Sequence, residues 1–117
     1  MAFTIKSFIR ASMGASLATG YTHASANGNA GIKEIECVNS SSSEWVQVWV
    51  YLVPSGGTAG TGNAVLNGAW VPPTTKGQVG NLKWNGLKII DENSASIQYK
   101  ALPGGVCALH VDGALKS

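Results

Sequence analysis

The chain has 117 residues, of which 44% are hydrophobic and only 12% carry a charge. We expect one domain with a single modest core from this length. The net charge of +2 is too small for a protein that neutralises many phosphates, so no nucleic acid partner is expected. Protein surfaces normally carry about a quarter charged residues, and the deficit here predicts that partners cover much of the surface.

The N-terminal segment mixes apolar residues with Lys6 and Arg10. It lacks the apolar run of about seven residues that a signal peptide needs, and no stretch of the chain approaches the roughly 20 residues of a membrane span. We therefore expect neither secretion through such a signal nor membrane insertion. Residues 1–16 are predicted to be an extended arm that pairs with a neighbouring subunit, and an extra strand of the same sandwich is the alternative.

Short segments of alternating apolar and polar residues follow, separated by turns rich in Gly, Pro, Asn and Ser. The predicted strands are 17–23, 32–38, 44–54, 64–71, 78–84, 87–90, 95–101 and 106–112. No segment between them has the period of a helix. This succession predicts an all-β fold over residues 17–117, an antiparallel β-sandwich resembling a jelly roll.

The segment 44–54 alternates strictly, which is typical of a strand with two different faces. The aliphatic set, predicted to face the core, is Val46, Val48, Val50 and Leu52, and the other set is Trp45, Gln47, Trp49 and Tyr51. Two indoles and a phenol are too much apolar area to leave in water, so we expect this second face to meet another layer or subunit. The full candidate interface is Phe3, Ile5, Phe8, Ile9, Trp45, Trp49, Tyr51, Trp70 and Trp84. A platform on which sugars stack is the alternative interpretation of the aromatic residues.

The residues that could carry chemistry form no recognisable catalytic or metal site. Cys37 and Cys107 fit no metal motif, and without a secretion signal two buried thiols are favoured over a disulfide. His23 and His110 lack partners at metal or triad spacing. The glycine-rich segment 54–62 lacks the Lys-Ser/Thr pair of a phosphate-binding loop. We therefore expect no enzymatic activity, no cofactor and no metal.

One pair of motifs is more specific. Gly31-Ile-Lys-Glu-Ile-Glu-Cys-Val-Asn39 is followed by a Ser-rich turn and by Val48-Trp-Val-Tyr-Leu-Val-Pro-Ser-Gly-Gly-Thr-Ala-Gly-Thr-Gly-Asn-Ala64. This arrangement resembles a group of small virion-associated proteins of tailed bacteriophages, and the similarity covers roughly residues 17–113. The chain departs from the family pattern at residues 21–28, where the family has a turn like YTVPAG.

The resemblance implies a part of the virion without enzymatic activity. The first expectation is a capsid decoration or cement protein that binds the major capsid protein and copies of itself, for example as a trimer. The second is a component of the tail, neck or fibres that contacts a glycan of the host. A free carbohydrate-binding module is the third.

Overall fold

The computed structural model describes residues 3–116, which form eight strands in two sheets. The strands are β1 (Phe3–Ser12), β2 (Ala18–Thr22), β3 (Asn29–Asn39), β4 (Val46–Val53), β5 (Ala64–Val71), β6 (Gly80–Ile90), β7 (Ser96–Leu102) and β8 (Cys107–Lys116). Sheet 1 has the order β1-β8-β3-β6 and sheet 2 the order β2-β7-β4-β5, with every pair antiparallel. This order is that of a jelly roll, so the predicted all-β sandwich is confirmed.

The core lies between the two sheets and is built from alternating positions of their strands. Val46, Val48 and Val50 of β4 are fully buried, as predicted, and Ile35 and Cys37 of β3 meet them from the other sheet. Burying one such aliphatic side chain stabilises the fold by about 1.5–3 kcal/mol. A slip of one residue in β4 would turn all three valines toward solvent, and this fixes the register of sheet 2.

The structure of the N-terminal segment differs from the prediction that residues 1–16 form a separate arm. Residues 3–12 form β1, which pairs with β8 along its length, so the alternative of an extra strand applies to them. An additional residue, Phe8, interrupts the ladder between Ser7 and Ile9, and this bulge lets two consecutive side chains point inward. Phe8 and Ile9 are 7% and 3% exposed. Their burial against sheet 2 is the physical reason that the segment stays with its own sandwich.

The second correction concerns residues 78–90, predicted as two strands with a turn at Asn85-Gly86. They contain one strand, β6, both halves of which pair with the eleven-residue strand β3. The residues expected to turn form a bulge instead, because Gly86 and Leu87 are skipped in the ladder. The indole of Trp84 lies across Gly86, where a Cβ atom would come within 2.8 Å of the ring.

Each of the four edge strands among the described residues is irregular. Every one carries residues that its ladder skips: Phe8 in β1, Gly20 in β2, Val65 and Gly68 in β5, and Gly86 with Leu87 in β6. Bulges twist an edge and interrupt its row of free backbone groups, which disfavours pairing with a strand of another chain. The edges of this sandwich are therefore poor templates for strand addition, and its faces are left as the surfaces for association.

Candidate functional site: the tryptophan face

The outer surface of sheet 2 carries a cluster of large side chains that we call the tryptophan face. Its members are Trp45, Gln47, Trp49, Trp70, Lys100 and Leu102. The ladders place them in rows, because Gln47 lies between Trp70 and Leu102, and Trp49 lies between Asn67 and Lys100. Trp45 lies directly before the first residue of β4. The face is therefore built on the two central strands of the sheet and one edge strand.

Two of the three indoles of this face are unusually exposed. Trp45 and Trp70 are each 55% exposed, and Leu102 is 46% exposed. Trp70 is opposite Gln47, and diagonal neighbours on one sheet face are roughly 7–8 Å apart, within reach of aromatic side chains. Trp70 therefore lies on the diagonals to both Trp45 and Trp49. The three indoles therefore share one side of sheet 2, and exposed apolar side chains grouped in this way are typical of interaction sites.

Local contacts hold the middle of the face in place. The ammonium group of Lys100 lies 4.9 Å from the ring centroid of Trp49, a cation–π contact. The Gln47 side-chain amide donates a hydrogen bond to the carbonyl oxygen of Gly68, 3.1 Å away. Gly68 is one of the two residues of β5 that the ladder with β4 skips, and it has φ +74°, a conformation that favours glycine. The bulge of β5 thus presents a carbonyl group that orients Gln47 between the tryptophans.

A buried amide that the sequence analysis missed positions both exposed indoles. Asn39, at the end of β3, is fully buried, and its side-chain Nδ2 donates to the carbonyl oxygens of Glu44 and Val71 at 2.8 and 3.2 Å. Glu44 precedes Trp45 and Val71 follows Trp70. The Asn39 Oδ1 also accepts a hydrogen bond from the backbone of the Ser-rich turn. One side chain of sheet 1 therefore ties together the two segments that carry the indoles.

A depression adjoins Trp45 at one end of the face. It has a volume of about 310 Å³, and its lining includes Trp45, Pro73, Gln78 and Asn81. Val79, on the same lining, is 53% exposed. An exposed indole beside side-chain amides combines an apolar platform with hydrogen-bonding groups, the combination found in small-molecule sites.

The structure separates the remaining predicted aromatic residues from this face. Tyr51 has the outward parity that was predicted, but it is only 7% exposed, because the loop that follows β4 returns against this end of the strand. Leu52, predicted to be fully inside, is partly buried against the core. Trp84 lies on the other sheet opposite Ile35, and its side chain packs partly against the core. Tyr51 therefore contributes little exposed area to the tryptophan face, and Trp84 lies on the other sheet.

The N-terminal residues of the predicted interface lie in different environments, some in the core and one on the outer surface of sheet 1. Phe8 is buried with its ring in edge-to-face contact with Tyr21, the centroids 4.8 Å apart, and Ile9 packs at Gly20. Ile5 is 92% exposed on the outer surface of sheet 1, away from the tryptophan face. The side chain of Phe3 lies outside the part of the chain that the structure describes. Among the predicted interface residues whose side chains the structure describes, Trp45, Trp49 and Trp70 share the outer side of sheet 2.

The cysteines lie on the core side of sheet 1 as free thiols. Burial raises the pKa of Cys37 to about 12 and that of Cys107 to about 11. Cys37 is opposite Leu109, so its side chain points inward, whereas His110 and Asp112 have the outward parity of the same sheet. Sheet 1 therefore lies between the Cys37 thiol and the side chains of His110 and Asp112, so the three residues do not form a catalytic group. A thiol held protonated in this way is a poor nucleophile.

His23 serves the fold. Its ring is 2% exposed, with Nε2 2.7 Å from the carbonyl oxygen of Gly28 and Nδ1 2.9 Å from the hydroxyl of Tyr21. The carbonyl oxygen can only accept, so Nε2 of His23 donates this hydrogen bond. Within residues 3–116, no cluster of three or more His, Cys, Asp or Glu side chains has the arrangement of a metal site.

Comparison with known proteins gives no family assignment. No protein-family model matches the sequence, and no curated protein matches it either. None of the helical segments described in residues 3–116 is both long and apolar enough to span a membrane.

Proposed function

We propose that this chain is a structural protein of a bacteriophage particle, first of all a capsid decoration protein, and that it docks through the tryptophan face. The observation that carries the proposal is the pair of indoles, Trp45 and Trp70, each 55% exposed on a fixed sheet surface. The motif resemblance in residues 31–64 supports the phage assignment, and the jelly-roll order of the strands is compatible with it.

The tryptophan face has the composition of a protein-binding surface. Trp is among the residues most enriched at the energetic centres of interfaces, where truncation costs about 2 kcal/mol or more. Asn39 fixes the backbone next to Trp45 and Trp70, and Lys100 contacts the ring of Trp49, so part of the face is ordered before docking. The low content of charged residues, 12% of the chain, also favours a protein that works covered by partners.

The mechanism we propose is stabilisation by mass action. A protein that binds only the assembled, expanded shell lowers the free energy of that state in proportion to RT ln(1 + [L]/Kd). The bulged edge strands favour docking by a face over docking by strand exchange, so the tryptophan face replaces the N-terminal arm as the proposed contact. Copies around a symmetry axis of the shell, for example three, would each present the same face.

The direct test uses empty expanded shells of the phage that encodes this chain. The double variant Trp45→Ser with Trp70→Ser is expected to lose binding in cosedimentation while its unfolding midpoint stays close to that of the unmodified chain, because both indoles are exposed. Leu17→Ser changes an exposed apolar residue outside the tryptophan face, so it is the matched control and should bind normally. Unchanged binding by the double variant would refute docking through this face.

The second candidate is a tail, neck or fibre protein that contacts a host glycan. The depression of about 310 Å³ beside Trp45 favours it, because Gln78 and Asn81 supply polar groups next to an indole. The copy number per particle, measured by mass spectrometry against the major capsid protein, separates the candidates. A number commensurate with the capsid lattice supports decoration, and a small multiple of three or six supports the tail. Absence from the particle contradicts both and favours a free carbohydrate-binding module.

A further inference from the structure

A second exposed apolar surface lies on sheet 1, on the side of the sandwich opposite the tryptophan face. Ile5, Ala114, Gly31 and Ile89 form one row across all four strands of this sheet. Ile5 is 92% exposed, Ile89 is 55% exposed and its neighbour Leu87 is 59% exposed. Single exposed aliphatic side chains are common on protein surfaces. A row of them with small residues between forms an apolar depression, which is typical of a binding site.

This surface is a trough, which we call the aliphatic trough. Leu87 and Ile89 stand on one side, Gly31 and Ala114 form the floor, and Ile5 continues the row next to Ala114. A Cβ atom on Gly31 would lie 3.4 Å from Cδ1 of Leu87 and 3.9 Å from Cδ1 of Ile89, so these side chains lean over the floor. The trough encloses about 330 Å³, a volume at the lower end of the range for ligand sites.

Cationic groups lie at both ends of the trough. Lys33 lines it at one end, and Lys116 lines it at the other beside Asn29. Lys33 lies at a bulge of β3, where the ladder between β3 and β8 skips it. The side chain of Lys33 is exposed. Among residues 3–116, Lys33 takes part in no ion pair and no carboxylate lines the trough.

The neighbouring carboxylates on the same sheet already have partners. Asp112 accepts a hydrogen bond from Arg10 at 2.9 Å, and Glu34 lies 3.9 Å from the ammonium group of Lys83. The outer surface of sheet 1 is therefore divided between a region of paired charges and an apolar trough with a lysine at each end. That division is the charge pattern from which the occupant can be inferred.

We propose that the aliphatic trough binds an extended acidic segment of a partner protein, with an acidic residue at positions i and i+4 and an aliphatic residue at i+2. The distance from Asn29 to Lys33 along β3 is four residues, roughly 13 Å at the rise of an extended chain. Side chains at i, i+2 and i+4 of an extended peptide point to one side over the same length. The acidic groups then reach Lys33 and Lys116, and the aliphatic group packs against Leu87 and Ile89 over the floor of the trough.

Two other occupants fit the charges less well. A second copy of the chain, placed trough to trough, would bring lysines against lysines without a lining carboxylate to compensate. A fatty acid carries one carboxylate, so its hydrocarbon tail would lie against the second lysine. The inference does not depend on the proposed docking of the tryptophan face, because the two surfaces lie on different sheets.

The test uses the complete chain and a fluorescein-labelled peptide with the core Glu-Ser-Leu-Ser-Glu, measured by fluorescence anisotropy at low ionic strength. We expect saturable binding that weakens with added salt, and none with the core Lys-Ser-Leu-Ser-Lys. Lys33→Glu should weaken binding by about fivefold or more, because one attraction becomes a repulsion. Lys76→Glu, the same charge change at an exposed turn residue, is the matched control and should leave the affinity unchanged.

A second variant tests the apolar part of the site. Ile89→Ser removes an exposed side chain, so it should abolish peptide binding while the near-ultraviolet circular dichroism stays that of the folded protein. Equal affinity for both peptides, or unchanged affinity in Lys33→Glu, would overturn the proposal. Saturable binding of laurate without peptide binding would also overturn it, as would a dimer in sedimentation that Ile89→Ser dissociates, because each assigns the trough to another occupant.

Discussion

The replacement Phe8→Ala tests whether β1 belongs to its own sandwich. Phe8 is 7% exposed, and truncating a buried phenylalanine costs about 3–5 kcal/mol, part of it from the lost edge-to-face contact with Tyr21. For 117 residues the unfolding entropy is about 0.25 kcal/mol/K, so a loss of 3 kcal/mol lowers Tm by about 12 °C. Ile5→Ala truncates a side chain of the same strand that is 92% exposed, and it should change the free energy of unfolding by less than about 0.5 kcal/mol.

The assay is urea denaturation followed by tryptophan fluorescence, at two protein concentrations. Because Phe8 packs within one chain, the loss of stability should be the same at both concentrations. If residues 1–16 served as an arm on a neighbouring subunit, Phe8→Ala would act like Ile5→Ala in the isolated chain, or its effect would grow with concentration. A change below about 1 kcal/mol for Phe8→Ala would refute the packing of β1 described above.

Three further changes test other parts of the structure. Gly113→Ala should destabilise the fold by about 3 kcal/mol or more in urea, because the new Cβ would overlap a backbone carbonyl oxygen of β3, whereas Gly60→Ala, with no atom within 4 Å, should be nearly neutral. Iodoacetamide at pH 8 should leave Cys37 and Cys107 unmodified until the protein unfolds, because both thiols are buried and protonated. Their pKa values are raised to about 12 and about 11, so above pH 9 only the thiols of the unfolded chain ionise. The free energy of unfolding should therefore fall as the pH rises above 9. Asn39→Ala should cost about 2 kcal/mol in urea and weaken shell binding by the tryptophan face, because the carbonyl groups of Glu44 and Val71 lose their donor.

The bulges of the edge strands show where pattern reasoning fails in this chain. Asn85-Gly86 has the residues of a tight turn, and it was assigned as one. In the fold the same dipeptide lies in β6, because β3 is long enough to pair with both halves of it. The local sequence determines which backbone conformations are favourable, but the length of the neighbouring strand decides whether the chain forms a turn or a bulge.

The prediction of an arm at the N-terminus was wrong for a similar reason. Its apolar residues have no strict alternation, because Phe8 and Ile9 are adjacent and both are buried. A bulge reconciles this pattern with a strand, but the bulge depends on the ladder with β8 and on the space left by Gly20 in β2. Neither the pairing nor that space can be derived from the segment alone.

The sequence by itself determined the all-β class, the inward valines of β4 and the concentration of indoles on its other side, because strand alternation is a local property with a period of two residues. Only the tertiary structure decided which indoles stay exposed, that Asn39 ties together the segments carrying Trp45 and Trp70, and that Ile5 and Ile89 lie in one row of sheet 1. These depend on which strands become neighbours and in which register, and each such contact joins residues far apart in the chain.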